Sequence, residues 1–371
     1  MSPGSLRRGC SRLEQFPIEL IFEILSHLRV PSIKQIGLAS SNLRRICIPF
    51  IFQDVSFHAD KAPHDFQTAM RRLRPVPCIR KLSFHDVDPN IKPHLLLEWC
   101  AAAQDLEIWS VSKPRPYVRL LSGLRELRIV KLDRIIFQSL ADFFELFRSL
   151  SGTVKDVRIG DVEFLSTTDS NPIPCTRKWV KVERLRLTSA LVLELLLRND
   201  SPVEFLHLQV AETRGASSHI IKKIGHLSPR LVKLIMEDPP LESNNEPLEL
   251  PTVKQLNISF RSLHPGLTSL NALLNVSDTE LEELTIKLPF EFIINERGEW
   301  EWLALALSRR PKLKRVTIVA WTKWSRTYSH VQVMLHEFRR QLEPWRRMVL
   351  QILANDRFDV IVDVAYRFGG Y

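Results

Sequence analysis

Residues 182–187 read VERLRL, and the spacing of their apolar side chains, apolar-x-x-apolar-x-apolar, recurs along most of the chain. The alternation at the end of this six-residue unit is typical of a short β-strand with one buried face. Intervals of 21 to 32 residues separate the copies, which begin at Ile79, Ala103, Leu124, Val154, Val182, Val203, Leu231, Val253, Leu281 and Leu313. A unit repeated at such intervals indicates a solenoid, in which each repeat packs on its neighbours.

Helix-like stretches separate the strand units, at residues 137–150, 191–198, 218–226, 267–274 and 300–309. Strands that alternate with helices at this period are expected to lie parallel in one continuous sheet with the helices behind it. The pattern resembles leucine-rich repeats, whose period is about 20 to 29 residues. The resemblance implies an α/β fold over residues 79–325: an irregular leucine-rich-repeat solenoid with the parallel sheet on its concave side and the helices on its convex side.

The turns after the strands depart from the usual repeat. The asparagine that normally follows the strand is missing, and the matching positions hold Leu132, Val162, Ala190 and Pro289 among others. We therefore expect irregular curvature. A doubly wound α/β domain is the alternative, because its parallel strands also alternate with helices. The solenoid is favoured because no phosphate-binding glycine loop follows a strand, and the whole chain has only 12 glycines.

The N-terminal residues 13–57 form a separate pattern of three short helical pieces. The first carries apolar residues at helical spacing, Leu20, Ile21, Ile24, Leu25 and Leu28. Pro31 interrupts it, and Ser40 and Ser41 can cap the third piece. Three helices in about 35 residues bury little area on their own. We therefore expect part of their apolar surface to meet another chain or the following domain.

The same residues resemble the F-box family. The segment FPIEL at 16–20, followed by Ile24-Leu25 and Leu28, is similar to the F-box opening Leu-Pro-x-Glu-Leu…Ile-Leu-x-x-Leu. The segment PFIFQDV at 49–55 is similar to the closing segment of fungal F-box proteins. Phe16 and Leu43 stand where leucine and tryptophan are usual, and both exchanges keep an apolar side chain. The resemblance covers about 45 residues of the 371.

This resemblance implies the substrate-recognition subunit of an SCF-type E3 ubiquitin ligase. The F-box would bind a Skp-type adaptor, and through it a cullin scaffold, by the side chains of Phe16, Pro17, Leu20, Ile24 and Leu25. Three alternatives remain at this point. The helices could be a cap whose aliphatic side chains face inward, or a helix-turn-helix DNA reader, although the third helix offers little beyond Asn42, Arg44 and Arg45 for base contacts. The chain could also be a leucine-rich-repeat scaffold acting outside a ubiquitin ligase.

A candidate substrate-binding ladder follows from the strand pattern. The residue between the last two apolar positions of each unit should face the exposed side of the sheet, and in four successive copies it is Arg128, Arg158, Arg186 and His207. Neighbouring strands lie about 4.8 Å apart, so these side chains would stack. Such a ladder suits an acidic or phosphorylated protein segment. The alternative is a solvated face, neutralised by Glu107, Glu126, Glu183 and Glu204.

Composition limits the other function classes. Lys and Arg outnumber Asp and Glu by 52 to 42, and we attribute the net charge of +10 to solubility, not to nucleic-acid binding. The five cysteines are irregularly spaced and form no Cys-x-x-Cys pair, which favours reduced thiols in cytoplasm or nucleus. The first residues lack the apolar core of a secretory signal, and no apolar run approaches the roughly 20 residues that cross a bilayer. We expect no membrane association.

We expect no catalysis, cofactor or metal. The chain has no nucleophile elbow and no phosphate loop, and His94, Glu98 and Cys100 fall short of a complete ligand set. The remaining segments are predicted to be a flexible N-terminus at 1–12, a linker at 58–78 and a C-terminal helical cap at 326–371. The basic helix within that cap is alternatively a partner-binding element.

Overall fold

Parallel strands alternate with helices along the chain, which is a mixed α/β protein with a large parallel sheet in the computed structural model. The predicted α/β class is therefore confirmed. The structure describes residues 12–58, 68, 71, 79–87, 93–112, 114–166, 180–198, 201–239, 250–260, 280–289, 297–324, 331–354 and 358–368. Two compact units divide the chain: residues 1–154 with 162–172, and residues 155–161 with 173–371.

The described part of the first unit begins with a short 3-10 helix, Arg12–Gln15, and three α-helices: α1 (Ile18–Ser26), α2 (Val30–Ala39) and α3 (Ser41–Ile51). Pro17 precedes α1, and Pro31 lies in the first turn of α2, where its missing N–H costs nothing. Ser40 caps α3 by accepting a hydrogen bond from the Leu43 N–H at 3.0 Å. These helices occupy the stretches in which the sequence predicts helical pieces.

A small apolar core holds the three helices together. It consists of Ile21 and Leu25 from α1, Ile33 from α2 and Cys47 from α3, with Ile36, Ile46, Phe50 and Ile51 packed around them. Only one ridge of α1 reaches this core, because Ile21 and Leu25 are one helical turn apart. The rest of the α1 surface does not contribute to it.

Four parallel strands follow in the first unit: β1 (Asp54–His58), β2 (Lys81–His85), β3 (Asp105–Trp109) and β4 (Ile129–Asp133). They pair in register, and Leu82, Leu106 and Val130 occupy equivalent buried positions at intervals of 24 residues. A 3-10 turn (Pro93–Leu96) and α4 (Leu97–Cys100) lie between β2 and β3. Helix α5 (Arg115–Gly123) lies between β3 and β4.

A residue in the left-handed backbone conformation follows three of these strands. The first residue after β2, β3 and β4 has a positive φ, 51° at Asp86, 54° at Ser110 and 52° at Arg134. The amide of Asp86 donates to the Trp109 carbonyl at 3.1 Å, and the amide of Ser110 donates to the Asp133 carbonyl at 3.0 Å. A left-handed backbone conformation therefore marks the end of these three strands.

A phenylalanine cluster completes the first unit. Strand β5 (Ile135–Ser139) pairs in parallel with β7 (Val162–Ser166), and α6 (Leu140–Arg148) follows β5. Phe137 of β5 packs edge-on against Phe143 of α6 with ring centroids 5.3 Å apart. The helix predicted to start at residue 137 begins at Leu140, because residues 135–139 form a strand and Ser139 caps the helix.

Eight parallel strands run through the second unit in the order β6-β9-β11-β12-β13-β14-β15-β16. They are β6 (Asp156–Ile159), β9 (Arg184–Leu187), β11 (Val210–Arg214), β12 (Lys233–Glu237), β13 (Gln255–Ser259), β14 (Glu283–Pro289), β15 (Arg315–Trp324) and β16 (Asp359–Phe368). A separate short pair joins β8 (Val180–Lys181) to β10 (Val203–Glu204). Within the described ranges, the helices between these strands are α7 (Ala190–Leu196), α8 (Ser218–Leu227) and α9 (Arg297–Ser308), and α10 (Val331–Leu353) precedes β16.

Two of the predicted strand units are out of register. Asp105 pairs with Ile129, so the third unit begins at Leu127, and Leu124 lies at the end of α5. Apolar residues recur here at intervals of three, at Leu124, Leu127 and Val130. The six-residue pattern therefore fits whether it begins at Leu124 or at Leu127. The sixth unit begins at Leu208, because Arg184 pairs with Val210. Its remaining apolar positions hold Ala211 and Thr213, which give a weak signal.

The C-terminal segment is more than the predicted helical cap. Helix α10 lies within it as expected, but β16 follows and pairs in parallel with β15 along ten residue positions, from Arg315 with Asp359 to Trp324 with Phe368. The alternation of valines in the β16 sequence DVIVDVAYRF was the signal for this strand. The predicted helix at 267–274 and most of the predicted linker at 58–78 lie outside the described residues.

Candidate protein-binding surfaces

Helix α1 carries more apolar surface than its own module covers. At about 100° per residue, its six apolar side chains span an arc of about 200°, and its polar residues occupy only a narrow stripe. An ordinary surface helix has an apolar stripe of roughly 100°, whereas a helix with a much wider one is covered on several sides. The core takes only Ile21 and Leu25, which leaves an apolar flank on either side of that ridge.

Four of the five residues predicted to contact an adaptor are exposed. Phe16 and Leu20 each keep 49% of their surface accessible, Ile24 keeps 38%, and Pro17 is also exposed. Leu25 is only 1% exposed, so its prediction as an outward contact is wrong. The reason is helical spacing, because Leu25 lies one turn after Ile21 on the ridge that faces the core.

The second flank of α1 forms a groove against α3 that the sequence reasoning missed. Its volume is about 310 Å³, and its lining residues are Glu14, Phe16, Ile18, Ile21, Phe22, Asn42, Arg45, Ile46 and Pro49. Phe22 packs against Phe50 with ring centroids 5.6 Å apart, yet 43% of its surface stays exposed. The signal was present in the nearly continuous apolar run of α1. We call Phe16, Pro17, Ile18, Leu20, Phe22 and Ile24 the α1 surface.

The α1 surface consists mainly of apolar side chains, which are suited to contacts with another protein. Its centre is aliphatic and aromatic, while Glu19 and Glu23 of the same helix stay exposed beside it. On the groove side, the Arg45 guanidinium donates to the Asn42 side chain at 3.4 Å. Exposed apolar side chains bordered by polar residues are the arrangement found at protein–protein interfaces.

The predicted basic ladder is interrupted on both sides. Arg158 and Arg186 are register partners on β6 and β9, as expected. His207 is not next in line, because it lies in the turn before β11, and Glu212 is the register partner of Arg186. Arg128 is exposed but precedes β4, and Lys131 holds the position between the last two apolar residues of that unit, Val130 and Leu132. The ladder as predicted, with Arg128 and His207, is therefore wrong.

The two remaining arginines are paired with acids. Arg158 binds Asp156 with both arms of its guanidinium, at 3.1 Å and 2.8 Å. The Arg186 Nε atom lies 3.1 Å from the Glu212 carboxylate. Burial raises the pKa of Glu212, and the charges of Arg186 and Arg158 oppose that rise. Within the described part of the second unit, these two arginines therefore fit the alternative prediction, a charged face neutralised by acids, better than they fit a free basic ladder. The neutralising acids are Asp156 and Glu212, which are not the acids that were predicted.

The outer face of β1 to β3 carries a row of rings. His58, His85 and Trp109 are register partners. The two imidazole rings are stacked with centroids 4.6 Å apart and planes 12° apart, and His85 and Trp109 lie 5.8 Å apart. The strand spacing brings the rings into contact. Sequence reasoning missed this row, although its members share one position of the repeat.

Glu107 is the charged centre of the same face. The Trp109 indole N–H donates to its carboxylate at 2.8 Å, and the Lys81 and Lys131 ammonium groups lie 3.3 Å and 3.6 Å from it. Burial alone would raise the pKa of Glu107, but the Trp109 hydrogen bond and the two lysines outweigh it, so the pKa is lowered. Glu107 is therefore ionised at neutral pH and holds both lysines.

The described residues contain no group of three or more His, Cys, Asp or Glu side chains that could hold a metal ion. Burial raises the pKa of the Cys100 thiol to about 12, so this core side chain is protonated at neutral pH. None of the helices in the described ranges is long and apolar enough to cross a membrane. No protein-family model matches the chain, and no curated protein matches it.

Proposed function

We propose that the chain is the substrate-recognition subunit of an SCF-type E3 ubiquitin ligase. In this proposal, residues 13–57 are an F-box that binds a Skp-type adaptor, and the strand-and-helix repeats are an irregular leucine-rich-repeat domain that binds the target protein. The observation that carries the proposal is the α1 surface, whose apolar side chains belong to the segment that resembles the F-box opening and remain exposed.

The free energy of the proposed adaptor contact comes from removing apolar surface from water. Burying about 25 cal/mol per Å² of apolar area favours binding, and a few fully buried anchors usually contribute most of the affinity. The proposed anchors are Leu20 and Ile24 on one flank of α1 and Phe16 just before the helix. Pro17 begins the helix and fixes their direction, since its ring restricts φ.

The repeats support the second half of the proposal. In-register parallel strands separated by helices are the arrangement that leucine-rich repeats produce, and their outer faces present a row of variable side chains. In a ubiquitin ligase of this class, the recognition subunit contributes position, not chemistry. Holding a target beside a charged conjugating enzyme raises the effective concentration of target lysines.

The test is co-purification of the adaptor and cullin with the tagged full-length chain. We expect the wild-type chain to retain both proteins and the double variant Leu20→Glu, Ile24→Glu to lose them. Two carboxylates placed in an apolar interface would each cost several kcal/mol if they were buried. Retention of the adaptor should therefore fall at least about a hundredfold.

The matched control is Leu191→Glu with Leu305→Glu. These leucines lie on helices α7 and α9 and are 50% and 52% exposed, close to the exposure of Leu20. The control adds the same charge outside the α1 surface and should keep the adaptor. Equal retention by the two double variants, or no retention by the wild-type chain, would contradict the proposal. Circular dichroism of each variant confirms that its helices are formed.

A further inference from the structure

Strand β1 connects the three-helix module to the parallel strands of the first unit. It begins at Asp54, shortly after α3 ends at Ile51, and it pairs with β2 at every one of its residues. In the described part of the sheet, β1 is the terminal strand and β2 is its pairing partner. The contacts between β1 and β2 therefore hold the chain in the sheet directly after the module.

Two consecutive register positions of β1 and β2 are occupied by rings. Phe57 and Phe84 stack with centroids 5.3 Å apart, and both are buried. His58 and His85 stack one position later with centroids 4.6 Å apart, on the opposite face, because side chains alternate along a strand. Phenylalanine does not titrate, whereas imidazole changes its charge between pH 5 and 8. A stack that is independent of pH and a titratable stack therefore lie side by side.

The histidine stack is suited to uncharged rings. Two imidazolium rings in this arrangement would place like charges about 4.6 Å apart. Burial lowers the pKa of His85 from its ordinary value of 6.5, and repulsion from His58 and Lys81 lowers it further. The carboxylates of Glu107 and Asp86 oppose this shift but do not outweigh it. Protonation of the stack is therefore disfavoured while β1 and β2 are paired.

The carboxylates on the neighbouring strands are already near lysines. The Lys81 and Lys131 ammonium groups lie 3.3 Å and 3.6 Å from the Glu107 carboxylate on β3. On β1, the other charged residue is Asp54, and its register partner is Lys81. Protonation of the rings would thus add positive charge to a face where lysines already accompany the acids.

We propose that His58 and His85 form a pH-sensitive contact, which holds β1 in the sheet while the rings are neutral and weakens its pairing with β2 when they are protonated. A histidine whose pKa is lower in the folded than in the unfolded chain binds fewer protons when folded. Stability is therefore retained above the unfolded pKa of about 6.5 and declines as the pH falls below it. This device goes beyond the proposed ubiquitin-ligase function and does not depend on the adaptor.

The experiment measures amide hydrogen–deuterium exchange of the full-length chain at about pH 7.5 and about pH 5.5, on either side of the imidazole transition. Rates are expressed as protection factors, which removes the pH dependence of intrinsic exchange. We expect protection of residues 54–58 to be up to about tenfold lower at the acidic pH, because one unmatched proton changes the equilibrium by up to tenfold per pH unit. Strand β12, which contains no histidine, should keep its protection.

The variant His85→Phe removes one titratable ring and leaves a ring on which His58 can stack. It should give equal protection of residues 54–58 at the two pH values. The matched control is His219→Phe, which replaces an exposed histidine of helix α8 and should behave like the wild-type chain. An equal loss of protection in β12 and β1, or a pH effect at residues 54–58 that persists in His85→Phe, would overturn the proposal.

NMR titration of the histidine-labelled chain gives a second measurement that does not require β1 to leave the sheet. Replacing one ring of an interacting pair changes the titration of the other. His58→Gln should raise the midpoint of the His85 titration, because the substitution removes a neighbouring charge. His219→Gln should leave that midpoint unchanged. A His85 midpoint that is the same in the wild-type chain and in His58→Gln would show that the rings are not coupled, which contradicts the proposal.

Discussion

At the scale of single residues, two isoleucines within one turn of α1 differ in exposure: one packs in the core and the other lies on the surface. Ile21 is 2% exposed and packs in the core of the three-helix module, whereas Ile24, three positions later, is 38% exposed. The two side chains are chemically identical, so their different surroundings determine what each contributes. Ile21 stabilises the module, and Ile24 is free to contribute to a contact with another protein.

Alanine substitution should therefore affect the two isoleucines differently. We expect Ile21→Ala to lower the free energy of unfolding of the module by about 2 to 4 kcal/mol, because it leaves a cavity in a packed core. Ile24→Ala should cost less than about 1 kcal/mol. Guanidinium unfolding of the full-length chain, followed by far-UV circular dichroism, measures both. Equal destabilisation by the two substitutions would show that Ile24 is part of the core.

At the scale of elements, a left-handed residue recurs at the ends of the parallel strands. Non-glycine residues in the left-handed region, such as Asp86, Ser110 and Arg134, are uncommon, yet they recur after three successive strands. The same conformation returns in the second unit at Gly215 and Asp238. The residue types at this position differ, so a search for one recurring amino acid does not detect the turn.

Ser110 tests the importance of this turn. Ser110→Val should destabilise the chain by about 1 to 2 kcal/mol, because a β-branched residue tolerates positive φ poorly. Ser110→Gly should be neutral or slightly stabilising, since glycine adopts this conformation without steric cost. Thermal unfolding measures the difference between the two variants. A valine variant as stable as the glycine variant would mean that the turn carries no conformational constraint.

The sequence predicted the strand units well where large apolar residues mark them, as in VERLRL at 182–187. It failed where apolar spacing is ambiguous, as at Leu124 and Leu127, or where small residues fill buried positions, as at Ala211. Because these two predicted strand units were out of register, Arg128 and His207 were assigned to outward-facing strand positions that they do not occupy. The row of His58, His85 and Trp109 could not be found from apolar spacing, since register between strands brings these rings together.

At the scale of the whole molecule, the chain combines two kinds of surface. One is the apolar α1 surface, exposed on a small helical module, and the other is the charged and aromatic outer face of the parallel strands. An apolar surface provides affinity through desolvation, whereas a charged face provides selectivity among partners. This division fits a protein that binds a constant partner with one part and a variable partner with another.

Amide hydrogen–deuterium exchange of the full-length chain, with and without a purified Skp-type adaptor, measures whether the adaptor covers helix α1. Backbone amides exchange more slowly where a partner covers and stabilises them. We expect slower exchange at residues 16–28 when the adaptor is bound, with unchanged exchange in strands β12 to β15. No change at residues 16–28, or protection confined to the strands, would contradict the assignment of α1 as the adaptor-binding helix.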